Sequence, residues 1–250
     1  MGFADRSYAP RGFGVGGVPP GVKLLLLANI AVFVLFFFES RFGPGLMFRF
    51  FSLAPSRWIE LWRPLTYLFL HDANDIWHIL LNMLMLYMFG APVEQIWGRD
   101  RFLRYYFLCG VGAGLCVLAA GLITGDMRPT IGASGAIFGL ILAFGVLLKD
   151  APVMFSFLFP IPAKYAAMIF GAIEFFALFG RGGSGVSHIA HLGGMVIGFF
   201  YIRSGLDKRA MRRSTSSRGL LVGIQDAYKR WKLERAKRKF EVYMRKNRER

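Results

Sequence analysis

Long apolar stretches, separated by short polar or proline-containing connections, are the dominant pattern along this chain of 250 residues. Six stretches approach the roughly 20 mostly apolar residues that a helix needs to cross hydrocarbon about 30 Å thick. They cover approximately residues 22–39, 75–91, 102–124, 133–149, 164–180 and 186–203. No small-residue cleavage pattern follows the first stretch, so we expect an uncleaved span rather than a secretory signal. The pattern predicts an all-α integral membrane protein with six transmembrane helices.

The segments outside these stretches have their own composition. Residues 1–21 are rich in Gly and Pro without an apolar period, which predicts a flexible cytoplasmic segment. The 40–74 connection is too aromatic for a solvated linker, so we expect amphipathic pieces that lie in the membrane interface. Between the fourth and fifth spans, Pro152 and the pair Pro160 and Pro162 flank an apolar core. We expect a short strand-like connector there, because proline interrupts a helix.

Composition and charge agree with a membrane protein and predict its orientation. The chain is 55% hydrophobic and 16% aromatic, with a net charge of +16. Residues 203–250 hold 17 Lys or Arg against five acids, so the positive-inside rule makes this tail cytoplasmic, and six spans then place the N-terminus there too. This tail combines basic residues with an apolar stripe and directly follows a span, which favours anionic lipid over nucleic acid as its partner. A helix that is merely solvated is a further alternative.

Polar side chains inside the apolar stretches are few, and such groups usually mark function. His78 and Asn82 are four residues apart, so they share one face of the second span and could donate hydrogen bonds to an oxyanion. A structural bond between helices is the alternative for this pair. Ser134 opens the fourth span between glycines, where it could be a nucleophile or a packing residue.

A serine nucleophile needs a base, and His191 at the start of the sixth span is a candidate. If the small-residue face of that span packs on the fourth span, His191 meets Ser134. His188 and His191 are also spaced for a metal, with Glu174 as the available third ligand. No established metal motif accompanies them, so we expect no metal and no cofactor. We expect Glu174 to form a hydrogen bond between helices.

Together these motifs resemble the rhomboid family of intramembrane serine proteases over about residues 22–204. The resemblance rests on four motifs in the family's order, namely Trp62-Arg63, His78 with Asn82, Gly132-Ala133-Ser134-Gly135, and Ala190-His191-Leu192-Gly193-Gly194 through Gly198. It implies a six-helix membrane domain at 22–204 with a membrane-embedded first outer loop. Composition and charge add a flexible segment at 1–21 and a basic cytoplasmic tail at 205–250.

The resemblance also implies a role for each matching residue. Ser134 would be the nucleophile and His191 the general base, without a third acid, while His188 would be peripheral. His78, Asn82 and the Ser134 backbone N–H would form the oxyanion hole. The fifth span and the Gly180 to Ser187 loop would be the gate and cap. The residues implied as structural support are Trp62, Arg63, Glu94, Gly132, Gly135, Phe138, Gly194 and Gly198.

The sequence therefore predicts an intramembrane serine endopeptidase in a bacterial cytoplasmic membrane. It would cleave transmembrane helices of other proteins near the outer membrane face through a Ser-His dyad. A catalytically inactive rhomboid-like protein that binds membrane clients is one alternative, although this chain keeps both Ser134 and His191. A small transporter or channel is another, although the sequence has no inverted repeat and no charged pore lining.

Overall fold

A computed structural model describes residues 17–155, 159–178 and 188–205 of the chain. Its helices in chain order are α1 (Pro20–Phe42), α2 (Leu46–Phe51), α3 (Arg63–Thr66), α4 (Ile76–Trp97), α5 (Arg99–Thr124), α6 (Ser134–Leu147), α7 (Ala163–Ala177) and α8 (His188–Ser204). The described residues up to Arg203 belong to one compact unit. The mostly helical architecture agrees with the fold class expected from the apolar pattern.

Three of the helices among the described residues, α1, α4 and α5, are long and apolar enough to cross a membrane. The other three that correspond to predicted spans are shorter, with 14 residues in α6, 15 in α7 and 17 in α8. At the rise of an α-helix, α6 is only about 21 Å long. The count of six spans therefore stays a prediction.

Large apolar side chains cover the outside of α1. Leu35 is 63% exposed, and Leu27 and Phe38 are each 57% exposed. An exposed surface of this kind is stable in a lipid environment, where the helix satisfies its own backbone hydrogen bonds. The helix surface agrees with a membrane protein.

Helix α6 lies at the centre of the described bundle and contacts α4, α5 and α7. Ala136, Leu140 and Ala143 of α6 are fully buried. A helix that is apolar on all sides is expected to be buried among other elements, whereas an amphipathic helix packs through one face only. The central position of α6 brings its first residue, Ser134, close to several neighbouring helices.

The connection between α1 and α4 is folded rather than extended. It contains α2, α3 and single turns of 3₁₀-helix at Pro55–Arg57 and Tyr67–Phe69. Leu53 in this connection exchanges two backbone hydrogen bonds with Thr130, with N–O distances of 3.0 and 2.7 Å. This bridge holds the loop between α5 and α6 against the first connection.

A two-stranded hairpin joins α6 to α7, so the expected strand-like connector is confirmed. Strands β1 (Pro152–Phe155) and β2 (Phe159–Pro162) pair antiparallel, with Val153 opposite Ile161. Three other predictions lie mainly outside the described residues: the flexible segment at 1–21, the cap at 180–187, and the basic tail at 205–250. At the end of the first of these, Pro20 and Gly21 already belong to α1 and are helical.

Candidate active site

Ser134 is the first residue of α6 and follows a loop with a special backbone conformation. Gly132 has a φ of +117°, which a residue with a side chain rarely adopts. A Cβ atom at Gly132 would also lie only 2.8 Å from Nε2 of His78. The Gly132 N–H donates a hydrogen bond to the backbone oxygen of Tyr67 at 2.9 Å. This loop therefore requires glycine at position 132, both for its conformation and for the space beside His78.

His191 on α8 lies within hydrogen-bond distance of Ser134, with 2.7 Å between Nε2 and Oγ. The His191 ring stacks on Phe138, with 4.2 Å between ring centroids and 7° between ring planes. Phe138 is one turn after Ser134 on the same helix, so α6 supplies both the hydroxyl and the surface that orients the imidazole. A serine beside an oriented imidazole is the arrangement that nucleophilic catalysis requires.

Glycines allow α6 and α8 to approach closely enough for this contact. A Cβ atom on Gly194 would lie 1.9 Å from the backbone oxygen of Gly135. A Cβ atom on Gly198 would lie 2.3 Å from the hydroxyl of Tyr105 on α5. The expectation that the small-residue face of the last span packs on the fourth span agrees with this geometry.

His78 and Asn82 lie on one face of α4, as their spacing predicted. The backbone N–H of Asp72 donates to Nδ1 of His78 at 3.2 Å. Because Nδ1 accepts this bond, the neutral ring carries its proton on Nε2, the nitrogen beside Gly132. Nδ2 of Asn82 donates to the backbone oxygen of His78 at 2.7 Å. His78 thus presents a donor to the site, while Asn82 is anchored within its own helix.

One cavity of about 580 Å³ brings these polar groups together. Ser134, His191, His78 and Asn82 all line it, together with apolar residues that include Met85. A nucleophile, a base and hydrogen-bond donors facing one cavity can support acyl transfer. The cavity is mainly apolar, which suits an extended segment of a hydrophobic peptide.

Glu174 on α7 contacts both histidines of α8, and its place beside His191 differs from the expectation of a dyad without an acid. Its Oε2 atom is 2.6 Å from Nδ1 of His188, in a hydrogen bond. The same oxygen is 3.0 Å from Nδ1 of His191. That distance is typical of an ion pair, but Nδ1 of His191 forms no aligned hydrogen bond. The expected interhelical hydrogen bond of Glu174 is confirmed, with His188 as its partner.

Trp62 and Arg63 stabilise the first connection and do not line the cavity. Nε1 of Trp62 donates to the backbone oxygen of Phe50 at 3.0 Å. The Arg63 guanidinium is 1% exposed, pairs with Glu60 at 2.7 Å and donates to the backbone oxygen of Ser52. The planar guanidinium of Arg63 carries several hydrogen-bond donors, and their bonds connect separate turns of the loop.

Glu94 joins α4 to the start of α1. Its two carboxylate oxygens accept hydrogen bonds from the N–H groups of Gly21 and Val22, each at 2.7 Å. These N–H groups are free at a helix N-terminus, where the helix dipole also favours a negative charge. Glu94 therefore anchors one long helix to another.

His71 lies in the connection before α4 and is not among the site residues that the sequence predicts. It is fully buried and meets the His78 ring edge to face, with 5.1 Å between centroids. Burial, with a smaller contribution from His78, lowers the pKa of His71 to about 3. His71 is thus a neutral imidazole behind His78 at ordinary pH.

The sequence predicts an interhelical hydrogen bond for Glu174 but does not place its carboxylate beside Ser134 and His191. The one available signal was a lone acid in the apolar stretch at 164–180, because an unpaired carboxylate there is unfavourable. The spacing of His188 and His191 did not show which helix supplies the partner. That information depends on how α7 packs on α8.

The chain matches a family of known proteins. The family model described as Rhomboid domain matches residues 59–207. The chain is 27% identical to the presenilin-associated rhomboid-like protein, mitochondrial, of Homo sapiens over 183 residues, which is 72% of this chain and 47% of that protein. It is 31% identical to Rhomboid protein 1, mitochondrial, of Saccharomyces cerevisiae over 150 residues, covering 56% of this chain and 42% of that protein.

A bacterial relative is also similar. The chain is 33% identical to the putative rhomboid protease YdcA of Bacillus subtilis over 144 residues, which is 56% of this chain and 65% of that protein. The chain spans about half the length of the mitochondrial relatives that it matches.

Proposed function

We propose that this chain, which belongs to the rhomboid family, is a serine endopeptidase that cleaves transmembrane helices within the membrane. The observation that carries the proposal is the 2.7 Å contact between Oγ of Ser134 and Nε2 of His191 inside the shared cavity. The Bacillus subtilis relative, which is named a putative rhomboid protease, supports the same reaction class.

In the proposed acylation step, Ser134 Oγ attacks the carbonyl carbon of the scissile peptide bond. Nε2 of His191 takes the hydroxyl proton as the new C–O bond forms. The resulting imidazolium then gives this proton to the leaving amine, and the C–N bond breaks. In deacylation a water molecule attacks the ester, with His191 again accepting and returning the proton.

The tetrahedral intermediate carries a negative oxygen that needs hydrogen-bond donors. We assign this role to Nε2–H of His78, the Asn82 amide and the backbone N–H of Ser134. The tautomer of His78 supports the assignment, because Nδ1 is occupied by the Asp72 N–H and Nε2 is left as the donor. Each such donor is worth roughly 10²–10³ in kcat in well-studied cases.

Glu174 has a positioning role in this scheme. A carboxylate oxygen 3.0 Å from Nδ1 of His191 favours the tautomer with the proton on Nδ1. In that tautomer Nε2 has a free lone pair that can accept the Ser134 proton. The Phe138 ring fixes the orientation of the same imidazole, so two neighbours define how His191 faces the serine.

The finer features of the protein follow from the same premise. We propose six spans within a domain at 22–204, termini on the cytoplasmic side, cleavage near the outer face of a bacterial cytoplasmic membrane, and transmembrane proteins as substrates. The exposed apolar side chains of α1 support the proposal that this helix lies in a lipid bilayer. Contact of the 205–250 tail with anionic lipid stays a prediction from its charge.

The test is covalent labelling of the purified full chain in detergent with a fluorophosphonate probe for activated serines. We expect labelling of the wild type and none of Ser134→Ala or His191→Ala, because each variant lacks half of the Ser-His pair. His188→Ala serves as the matched control and should keep the label. Equal loss in His188→Ala would contradict the assignment of His191 as the base. A folded wild type that reacts with no probe chemistry would favour the inactive client-binding alternative.

A further inference from the structure

A cluster of three side chains, which includes His191 itself, lies at the edge of the His191 ring that faces away from the serine hydroxyl. Glu174 of α7 and His188 and His191 of α8 place one ligand atom each within 4.8 Å of the others. Their side chains are 12%, 21% and 6% exposed, respectively. Two separate helices thus bring two imidazoles and a carboxylate to one nearly buried point.

The donor set is one that zinc prefers. Two histidines and one glutamate occur together as the protein ligands of zinc in several enzymes, with an open fourth position. With metal–ligand distances of about 2.0–2.2 Å, neighbouring ligands of a tetrahedral zinc lie about 3.3 Å apart. Oε2 of Glu174 is 2.6 Å from Nδ1 of His188 and 3.0 Å from Nδ1 of His191. The Glu174 oxygen would need to move less than about 1 Å away from each imidazole to admit the ion.

A second observation points to a ligand at this place. Nδ1 of His191 is buried and has no aligned hydrogen-bond partner. Buried polar atoms are normally satisfied. The nearest acceptor, Oε2 of Glu174 at 3.0 Å, already forms the hydrogen bond with His188, so Nδ1 of His191 is left without an aligned partner. A cation between Nδ1 and the carboxylate would give Nδ1 a partner and keep the carboxylate oxygen as a ligand.

We propose that Glu174, His188 and His191 bind a zinc ion and that this ion inhibits the protease. The inhibitory effect rests on the proposed function, whereas the binding of zinc does not. A neutral imidazole has one N–H, so a metal on Nδ1 leaves the proton on Nε2. On binding, the Nδ1 proton leaves to solvent and Nε2 gains one, with no net change in protons on the ring. Nε2 then cannot accept the proton of Ser134.

The effects of Glu174 and of zinc are opposite in sign. Without metal, the nearby carboxylate favours the His191 tautomer with the proton on Nδ1 and leaves Nε2 free as a base. With metal, Nδ1 is occupied and Nε2 becomes a donor to the serine oxygen. The same cluster thus switches His191 between a competent and an incompetent tautomer.

The experiment titrates ZnCl₂ into the full chain in chelator-free detergent and follows probe labelling and substrate cleavage. MgCl₂ is the control, because magnesium prefers oxygen ligands. Zinc affinity is measured separately by competition with a zinc-responsive fluorophore. We expect zinc to inhibit the wild type, EDTA to restore activity, and magnesium to have no effect.

His188→Asn is the decisive variant, because the asparagine amide keeps a hydrogen-bond donor near Glu174 but is a poor zinc ligand. We expect it to keep basal activity while its zinc affinity and its sensitivity to zinc fall at least about 10-fold. Ser134→Ala should bind zinc with unchanged affinity, since the serine is not a ligand. A His188→Asn protein that binds zinc as tightly as the wild type would overturn the site.

The two proposals fail in different ways. An active wild type that zinc does not inhibit would overturn the inhibitory zinc site and leave the protease assignment intact. Zinc binding that depends on His188, in a folded wild type that neither labels nor cleaves, would support the metal site and contradict the proposed function.

Discussion

Substitution of Gly194 by alanine should separate α8 from α6 and disable the Ser-His pair. The new Cβ would lie 1.9 Å from the backbone oxygen of Gly135, whereas a carbon and an oxygen approach no closer than about 3.3 Å without strain. The shortfall of about 1.4 Å cannot be absorbed by a side-chain rotation, because the obstructing atom is backbone. The helices must therefore move apart.

The movement would act directly on the reacting atoms. Gly135 follows Ser134 in the chain, and Gly194 is one turn after His191. An increase of even 1 Å takes the 2.7 Å contact beyond hydrogen-bond range. A misplacement of this size lowers activity by about 10²-fold, and overpacking of the interface destabilises the fold by about 1–3 kcal/mol.

The assay compares the rate of fluorophosphonate labelling and the thermal midpoint of wild type, Gly194→Ala and Gly171→Ala in the same detergent. Gly171→Ala is the matched control, because its Cβ would meet the flexible end of Met195, with Cε at 3.3 Å. We expect near-normal labelling of the control and labelling of Gly194→Ala slower by about 10²-fold. Labelling of Gly194→Ala at the wild-type rate would refute the close packing of α6 on α8 as the basis of the site.

Two further substitutions test the supports of the site. Glu94→Gln should lower the free energy of unfolding by about 1–3 kcal/mol, because two charge-assisted bonds to the α1 N-terminus weaken, and unchanged denaturant unfolding would contradict this anchor. His71 should make stability fall as the pH drops from 6.5 towards 4, since its folded pKa of about 3 lies below the ordinary value of 6.5 and the unfolded chain binds more protons in that window. The variant His71→Phe should flatten this pH dependence, and an unaltered slope would exclude His71 as its source.

Several features of the fold could be predicted because they depend on neighbours in sequence. The helices near 22–39, 75–91 and 102–124 follow from the length of apolar runs, and the hairpin after α6 follows from its prolines. The sequence predicts a span over 133–149, whereas α6 covers Ser134–Leu147, because the apolar run continues to Leu148 after the last helical residue. Helix ends depend on tertiary packing and are less visible in the pattern.

The sequence by itself determined the membrane class and the residues that are able to carry chemistry. Run length sets which segments can cross hydrocarbon, and the scarcity of polar groups singles out Ser134, His78 and Asn82. Only the tertiary structure decided that Nε2 of His191 faces Ser134 while His188 turns to Glu174. Ser134 and His191 are 57 residues apart in sequence, and their contact arises from backbone packing between glycines of two helices. Such packing depends on how the surfaces of two helices fit each other, and the periodicity of residues within one helix does not contain that information.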